Sequence, residues 1–418
     1  MCNRAAKLVV VALLGVVLSC IATVQGNAGV DSQNFTLVEK GHYLATAADC
    51  FACHTTQNGG KPFAGGRAIE TPFGNITTPN ITPDSETGIG AWTDDQFVRA
   101  VRDGIRPDGG RLYPAMPFTA YTKMSRNDVL AIRAYLKTVE PVRHPVKANT
   151  LPFPFDIRAA MRVWDALYFT AGEFKPDPGH SSIWNRGAYL VQGPGHCGAC
   201  HTPKTFLGGD KTDESLRGAK LQGWSAPDIT GDQNEGLGRW SEADIADYLK
   251  AGHNHVTAAT GPMAEVIADS TSQMSDDDRK AIATYLKSLA GRSNEAAPEQ
   301  AKHAVMVAGQ AIYRSQCSAC HGLEGKGTEK LFPSLADSSL VRASDPSSAI
   351  RLVLRGGRSV ATASEPTAPG MPSFAWQLSD AQVAAVLTYV RNSWKTAAAP
   401  VSTADVTHAR KALRTRTE

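Results

Sequence analysis

The sequence predicts an all-α protein built from three tandem domains, and two features support this prediction. The pentapeptide C-x-x-C-H occurs three times, at Cys50–His54, Cys197–His201 and Cys317–His321. Each copy follows a short helical segment that carries a glycine and an aromatic residue, and each repeat ends in a stretch with apolar residues at helical spacing. We therefore predict domains at residues 35–140, 180–291 and 300–395.

The first helix of each predicted domain leads directly into its pentapeptide. The segments that carry this helix are Gly41-His42-Tyr43-Leu44, Gly187-Ala188-Tyr189-Leu190 and Gly309-Gln310-Ala311-Ile312-Tyr313. The first two repeats also share a loop, because residues 80–92 (NITPDSETGIGAW) align with residues 228–240 (DITGDQNEGLGRW). Thr93 and Ser241 follow this loop and precede acidic residues, which is a typical start of a helix.

The last helix of each predicted domain also has a clear start signal. These helices are predicted over residues 125–139, 275–289 and 379–393, and each begins with a serine followed by an aspartate within three positions. Proline and polar residues collect between the domains, at residues 141–179 and 292–299, and indicate linkers there.

C-x-x-C-H is the attachment signature of a c-type haem, in which the two thiols add to the porphyrin vinyl groups. The histidine then becomes the proximal ligand of the iron. A shuffled chain with 8 Cys and 11 His would contain roughly 0.004 copies of the pattern, so three copies are not accidental. A zinc site and a redox dithiol are the alternatives. A zinc site needs a second ligand pair at close spacing, and none follows any of the three motifs. A redox dithiol does not require a histidine directly after the second cysteine. We predict three covalent haem c groups, each wrapped by one all-α cytochrome c domain.

The haem-binding residues predicted by the motif are six cysteines and three histidines. The thioether bonds are assigned to Cys50, Cys53, Cys197, Cys200, Cys317 and Cys320, and the proximal iron ligands are His54, His201 and His321. Only Cys2 and Cys20 remain outside the motifs, so no disulfide is expected in the mature protein.

A methionine is the expected ligand on the other side of each iron, because it is common in electron-transfer cytochromes. Met116 follows His54 at the same distance as Met263 follows His201, and both are predicted to lie in proline-containing loops before the last helix of their repeats. Met371, in Pro-Gly-Met-Pro, is the corresponding residue of the third repeat. Met124 and Met274 directly precede helix caps, where a core role is expected.

Other side chains near the motifs have less specific interpretations. His253 and His255 are alternatives to Met263, although a loop or surface role is favoured. Several arginines are candidates for contacts with haem propionates, with a solvated surface role as the alternative: Arg67, Arg99, Arg102, Arg111, Arg355 and Arg358.

The N-terminus has the pattern of a secretory signal peptide at residues 1–26. Arg4 and Lys7 precede an apolar run at 8–24, and small residues follow. Export agrees with the motifs, since haem is attached to C-x-x-C-H outside the cytoplasm. An uncleaved anchor and lipid attachment at Cys20 are the alternatives. No later segment is long and apolar enough to span a membrane, and the formal net charge of +3 does not indicate nucleic-acid binding.

Two further segments have open interpretations. Residues 156–174 of the linker predict an amphipathic helix that either touches a membrane or packs between domains. The C-terminal tail, residues 396–418, carries several basic residues and forms either a weak amphipathic helix at a lipid surface or a disordered end.

These motifs, their order and the paired Gly-x-Gly-x-Trp loops make the chain similar to the tri-haem cytochrome c subunits of bacterial membrane-bound dehydrogenases, such as those for alcohol, gluconate, sorbitol and fructose. The resemblance implies a periplasmic subunit at the inner membrane. It would take electrons from a flavin or quinone catalytic subunit, with a small third subunit as a possible further partner, and pass them to ubiquinone. A stand-alone multihaem carrier that serves a terminal oxidase is the alternative.

The chain itself is not expected to oxidise a substrate. It contains no P-loop and no dinucleotide-binding fingerprint, and a haem iron with two protein ligands has no open position.

Overall fold

The computed structural model describes residues 34–57, 59–292, 302–394 and 396–414, and most of its regular structure is helical. Three helical units follow one another, and we refer to them as unit 1, unit 2 and unit 3. The predicted signal peptide with Cys20, and the second linker except Arg292, lie outside the described residues.

Unit 1 contains five helices and one antiparallel hairpin. Its first and last helices pack against each other, and the turn that carries the C-x-x-C-H motif, here called the attachment turn, follows the first. The elements are α1 (Phe35–Ala47), α2 (Cys50–His54), β1 (Ala68–Thr71), β2 (Gly74–Thr77), α3 (Asp94–Asp103), α4 (Phe118–Tyr121) and α5 (Arg126–Leu136).

A linker helix, α6 (Met161–Tyr168), preceded by a 3-10 turn at Arg158–Ala160, leads to unit 2. Unit 2 repeats the plan of unit 1, with two additional 3-10 turns at Thr212–Glu214 and Thr271–Gln273. Its elements are α7 (Ser182–Gln192), α8 (Gly198–His201), β3 (Arg217–Leu221), β4 (Trp224–Asp228), α9 (Glu242–Ala251), α10 (Pro262–Asp269) and α11 (Asp276–Ser288).

Unit 3 has the same first and last helices, but its middle is different and one helix is added after the last. Its elements are α12 (His303–Gln316), α13 (Ser318–His321), α14 (Ser339–Arg342), α15 (Ser347–Arg355), β5 (Gly357–Arg358), β6 (Gly370–Met371), α16 (Asp380–Arg391) and α17 (Thr403–Arg414).

The predicted helix starts are confirmed. Ser125, Ser275 and Ser379 are the N-caps of α5, α11 and α16, and each side chain accepts a hydrogen bond from a backbone N–H of the first turn. Thr93 and Ser241 cap α3 and α9 within complete capping boxes. These caps satisfy N–H groups that have no partner inside the helix.

A glycine lies where the first helix of each unit crosses the last. A Cβ built on Gly41 would overlap the carbonyl oxygen of Ala131, and one built on Gly187 would overlap that of Ala281. Gly309 is in the same position against Ala385 in unit 3. The absence of a side chain therefore brings the two helix backbones into direct contact, and this contact orients the attachment turn that follows.

Three small hairpins depart from the all-α prediction. β1 pairs with β2, β3 with β4 and β5 with β6, each as an antiparallel two-stranded ribbon among the described residues. The strands have five residues or fewer, so they show too little alternation to be detected from the sequence. Gly74, with φ of 112°, takes a conformation at the β1–β2 turn that other residues rarely adopt.

The linker helix is shorter than predicted and packs between units 1 and 2. Trp164 is buried, makes an edge-to-face contact with Phe118 of unit 1 and donates its indole N–H to the carbonyl of Leu207 in unit 2 at 2.9 Å. Val163 and Leu167 on the outer face are exposed. Of the two interpretations of this helix, packing between domains is the one that the described residues show.

The C-terminal tail, which the sequence predicts to follow the third domain, forms a helix over most of its described length. Helix α17 packs on unit 3, where Val401, Val406 and Leu413 join its core. Arg410 of this helix donates to Asp380 and to the carbonyls of Ala375 and Leu378. The apolar face of the C-terminal segment is thus occupied within the unit. In the described ranges, no helix is both long and apolar enough to cross a bilayer.

The crossing glycines generate a testable prediction for stability. Replacing Gly187 with alanine should lower the free energy of unfolding by roughly 1–3 kcal/mol, because the added methyl overlaps backbone at the α7–α11 crossing. At an exposed position in the interior of a helix, the same change would instead raise the free energy of unfolding by about 1 kcal/mol. Denaturant unfolding of the purified protein measures the difference.

The control is Gly172→Ala in the linker, where an added Cβ meets nothing within 4 Å. We expect this variant to unfold with the wild-type protein. Equal stability of both variants would contradict the role assigned to the crossing.

Candidate haem sites

The two cysteines and the histidine of each motif are carried on a single helical turn. In unit 1 the turn is α2 itself, and in units 2 and 3 it begins at Cys197 and Cys317, which have right-handed helical dihedrals and precede α8 and α13. Cysteines three positions apart lie on one face of such a turn. The structure therefore presents both thiols of each motif to the same side.

Each of the three motif histidines makes the same kind of hydrogen bond, to a proline carbonyl, which the sequence did not predict. The Nδ1 of His54 bonds to the carbonyl oxygen of Pro79 at 2.8 Å, and His201 bonds to Pro227 at 2.7 Å. In unit 3, His321 bonds to Pro333 at 3.1 Å. With Nδ1 engaged by a carbonyl, Nε2 is the nitrogen left to face a metal.

A sequence signal for these prolines exists. Pro79 and Pro227 each directly precede the loop that aligns between repeats one and two. Extending that alignment by one residue toward the N-terminus would have included both prolines. Pro333 lies much closer to its histidine in the chain, and unit 3 lacks the aligned loop. The alignment of the repeats therefore indicates Pro79 and Pro227 as equivalent residues, but it does not indicate Pro333.

Burial keeps the histidines neutral. His54 and His201 are each 9% exposed, whereas His321 is half-buried. Desolvation lowers the pKa of all three imidazoles, and the proline carbonyls oppose it only in part. A neutral imidazole is the form that binds iron.

None of the six described cysteines forms a disulfide, and all but Cys320 are at least half-buried. Burial raises the pKa of Cys50, Cys53 and Cys197 to about 12, and that of Cys317 to about 11. A redox dithiol instead needs a cysteine whose pKa is lowered. The environment of these thiols thus argues against the dithiol interpretation and agrees with attachment sites.

The predicted methionine ligands are half-buried and occupy three different local structures. Met116 lies in the loop before α4, Met263 is the second residue of α10, and Met371 ends strand β6. Met263 is therefore in a helix, not in the loop that the sequence suggested. Met116 and Cys50 pack on the same core cluster of unit 1, and Met263 and Cys197 on that of unit 2.

The competing ligands have other roles in the structure. Met124 is fully buried and Met274 is 5% exposed, both within the cores predicted for them. His255 is paired with Asp244 at 3.0 Å and mostly exposed. His253 lines a cleft between units 2 and 3.

Most of the arginines that were candidates for propionate contacts also bond to protein groups. Arg67 bonds to Glu265, Arg111 pairs with Asp165 at 3.2 Å, and Arg355 donates to the carbonyl of Leu413. Arg102 donates to the Thr122 carbonyl at 3.4 Å, and Arg358 to that of Ala368 at 3.2 Å. Arg99 is exposed, as the surface interpretation predicts.

Asp49, directly before the first motif, is a functional candidate that the sequence analysis missed. It is 7% exposed, has a left-handed φ of 52°, and its Oδ1 has no hydrogen-bond partner. Burial, reinforced by Asp269 and Glu265, raises the pKa of its carboxyl to about 8. Asp49 is thus mainly protonated at neutral pH, immediately beside the attachment turn.

The residues present fit a covalently held c-type haem. Each turn supplies two neutral thiols on one face and an imidazole whose Nδ1 is fixed by a carbonyl, so that its Nε2 is available to iron. A protein that presents this set is a cytochrome c.

The profile of the cytochrome c family matches residues 38–140, 185–290 and 306–394, one segment in each unit. The gluconate 2-dehydrogenase cytochrome c subunit of Pantoea cypripedii is 40% identical over 91% of this chain and 91% of its own length. The cytochrome c subunit of the quinone alcohol dehydrogenase of Gluconacetobacter polyoxogenes is 39% identical, over 90% and 84%. The fructose dehydrogenase cytochrome subunit of Gluconobacter japonicus is also 39% identical, over 87% and 81%.

The chain therefore belongs to the cytochrome c family. Within it, the chain is a member of the group formed by the cytochrome c subunits of bacterial dehydrogenases.

Asp49 leads to a prediction for pH dependence. Because its pKa is raised in the folded protein, its contribution to stability is complete below pH ~4, the pKa of an unfolded aspartate, and is lost as the pH rises through about 8. Asp49→Asn introduces a side chain that is neutral at every pH, so it should weaken the dependence of stability on pH in this range. Denaturant midpoints of both proteins between these pH values measure it, and parallel profiles would contradict the assignment.

Proposed function

We propose that this protein is a tri-haem electron-transfer subunit of a bacterial dehydrogenase complex. Three tandem cytochrome c domains, one per unit, each hold one covalent haem c. The observation that carries the proposal is the repeated set of one attachment turn and one histidine–proline hydrogen bond in all three units. Haem c supplies reversible one-electron transfer when it is bound.

The residues assigned to each haem follow the motifs. Cys50 and Cys53, Cys197 and Cys200, and Cys317 and Cys320 form the thioether bonds. His54, His201 and His321 are the proximal iron ligands, and Met116, Met263 and Met371 are the distal ones. The carbonyls of Pro79, Pro227 and Pro333 orient the imidazoles and raise their basicity through Nδ1.

The proposed partners are a dehydrogenase catalytic subunit of the flavin or quinone type and a small third subunit. The names of the relatives, which are cytochrome subunits of gluconate, alcohol and fructose dehydrogenases, support the catalytic subunit as a partner over a stand-alone carrier for a terminal oxidase. We place the complex at the periplasmic face of the inner membrane, with export by the predicted signal peptide and ubiquinone as the electron acceptor.

Purification of the tagged full-length chain from membranes of its native host tests the role. A co-purifying flavin or quinone subunit should reduce the haems when gluconate, an alcohol or a sugar is added, as seen in the α-band absorbance. A chain that purifies alone from those membranes, with haems that none of these substrates reduces, would contradict the proposal.

The haem count gives a second test. The pyridine haemochrome assay should find three haems per chain, and Cys197→Ala combined with Cys200→Ala should leave two. The matched control is Cys50→Ala combined with Cys53→Ala, which should also leave two. A wild-type count below three would disprove the assignment of one haem to each unit.

The distal ligands are tested one at a time. Met116→His should lower one of three reduction potentials and leave the other two in place, because histidine stabilises ferric iron more than a thioether does. Met124→Leu, a volume-conserving change in the same unit, should leave all three potentials unchanged. Spectroelectrochemical titration measures both variants, and three unchanged potentials in Met116→His would rule out this ligand.

A further inference from the structure

Units 1 and 2 are joined by a reciprocal pair of hydrogen bonds. Tyr43 of α1 donates its hydroxyl to Asp278 Oδ2 of unit 2 at 2.6 Å, and Tyr189 of α7 donates to Asp128 Oδ2 of unit 1 at 2.5 Å. Each tyrosine is two residues beyond the crossing glycine, and each aspartate is the third residue of its unit's last helix. Such equivalent, mutually exchanged contacts are typical of a two-fold interface.

Each aspartate is also held by a basic residue of its own unit. Lys40 Nζ is 2.6 Å from Asp128 Oδ1, and Arg186 donates to both oxygens of Asp278 at 2.8 and 2.7 Å. Burial alone would raise the pKa of both carboxyls, but these bonds outweigh it and keep the pKa of each below its ordinary value. The tyrosines therefore donate to ionised acceptors, which form stronger hydrogen bonds than neutral ones.

The same interface brings the attachment turns of units 1 and 2 together. Arg67 donates to the carbonyl of Ala52, inside the first motif, at 2.6 Å, and to Glu265 Oε2 in α10 at 2.9 Å. Helix α10 also carries Met263, the ligand proposed for the second haem. Helix α10 also packs directly against α2, the attachment turn of unit 1.

Unit 3 has none of the residues that form this pair. Ala311 is at the tyrosine position, Gln382 replaces the aspartate, and Ala308 replaces the basic residue. Unit 3 contacts unit 2 through other surfaces, where Arg342 donates to the carbonyl of Asn234 at 2.9 Å. Its motif is also the more open one, with Cys320 exposed.

We propose that Tyr43 and Tyr189 are positioning residues that hold the haem-attachment turns of units 1 and 2 as one fixed pair, while the turn of unit 3 stays outside it. The inference rests on the proposed function, because it requires a haem on each turn. The first and second haems are then close and electronically coupled.

The test is the Soret circular dichroism of the full-length haem-loaded protein. Two close haems give a band with a positive and a negative lobe, which we expect in the wild type. The double variant Tyr43→Phe with Tyr189→Phe keeps both rings but removes both hydroxyls, and its two-lobed signal should fall by more than half. Each single variant should give an intermediate loss, because each removes one of the two bonds between the units.

The matched control is Tyr313→Phe. It removes a hydroxyl that donates to the carbonyl of Gly322 at 2.6 Å within unit 3, and it should leave the two-lobed band intact. An intact band in the double variant, an equal loss in the control, or no such band in the wild type would each overturn the inference.

A second pair of variants tests the same hydrogen bond if the double tyrosine variant does not fold. Asp278→Asn keeps an oxygen that accepts from Tyr43 and should retain most of the two-lobed signal, whereas Asp278→Ala should show the same intermediate loss as Tyr43→Phe. Equal signals in these two variants would overturn the role of the hydrogen bond. A pyridine haemochrome count below three would instead count against the proposed function, so the two failures are distinguishable.

Discussion

The close crossing of the first and last helices is the constraint on which each unit depends. Gly41, Gly187 and Gly309 let the two backbones meet without a side chain between them. The attachment turn follows the first helix within a few residues, so the crossing determines where that turn points. The histidine at the end of the turn then meets a proline carbonyl, which fixes the orientation of its ring.

Burial also keeps the cysteine and histidine side chains of these turns in their neutral forms, which suits them to bind a haem. Burial raises the pKa of the cysteines and lowers that of the histidines, so both are neutral without a counter-charge. Charged groups lie around the turns and connect units 1 and 2, as Arg67 does by contacting both Ala52 and Glu265. One structural plan therefore serves both to present a cofactor and to join two units.

Several features were predictable because their cause is local. The capping serines, the motif cysteines and the buried roles of Met124 and Met274 follow from residue type and spacing. The hairpins were missed because short strands carry little periodicity. The packing of the C-terminal helix on unit 3 was not predicted because its weakly apolar face, with Val406 and Leu413, is explained only by the surface it covers.

The amino-acid sequence alone determined the C-x-x-C-H turns, their number and the starts of the main helices, since these depend on neighbours within a few residues. Only the tertiary structure decided which units pair. The hydrogen bond from Tyr43 to Asp278 joins residues far apart in the chain, and no local pattern distinguishes it from an ordinary helix cap. The physical reason is that such a contact depends on how whole helices pack, whereas a motif depends on the order of adjacent residues.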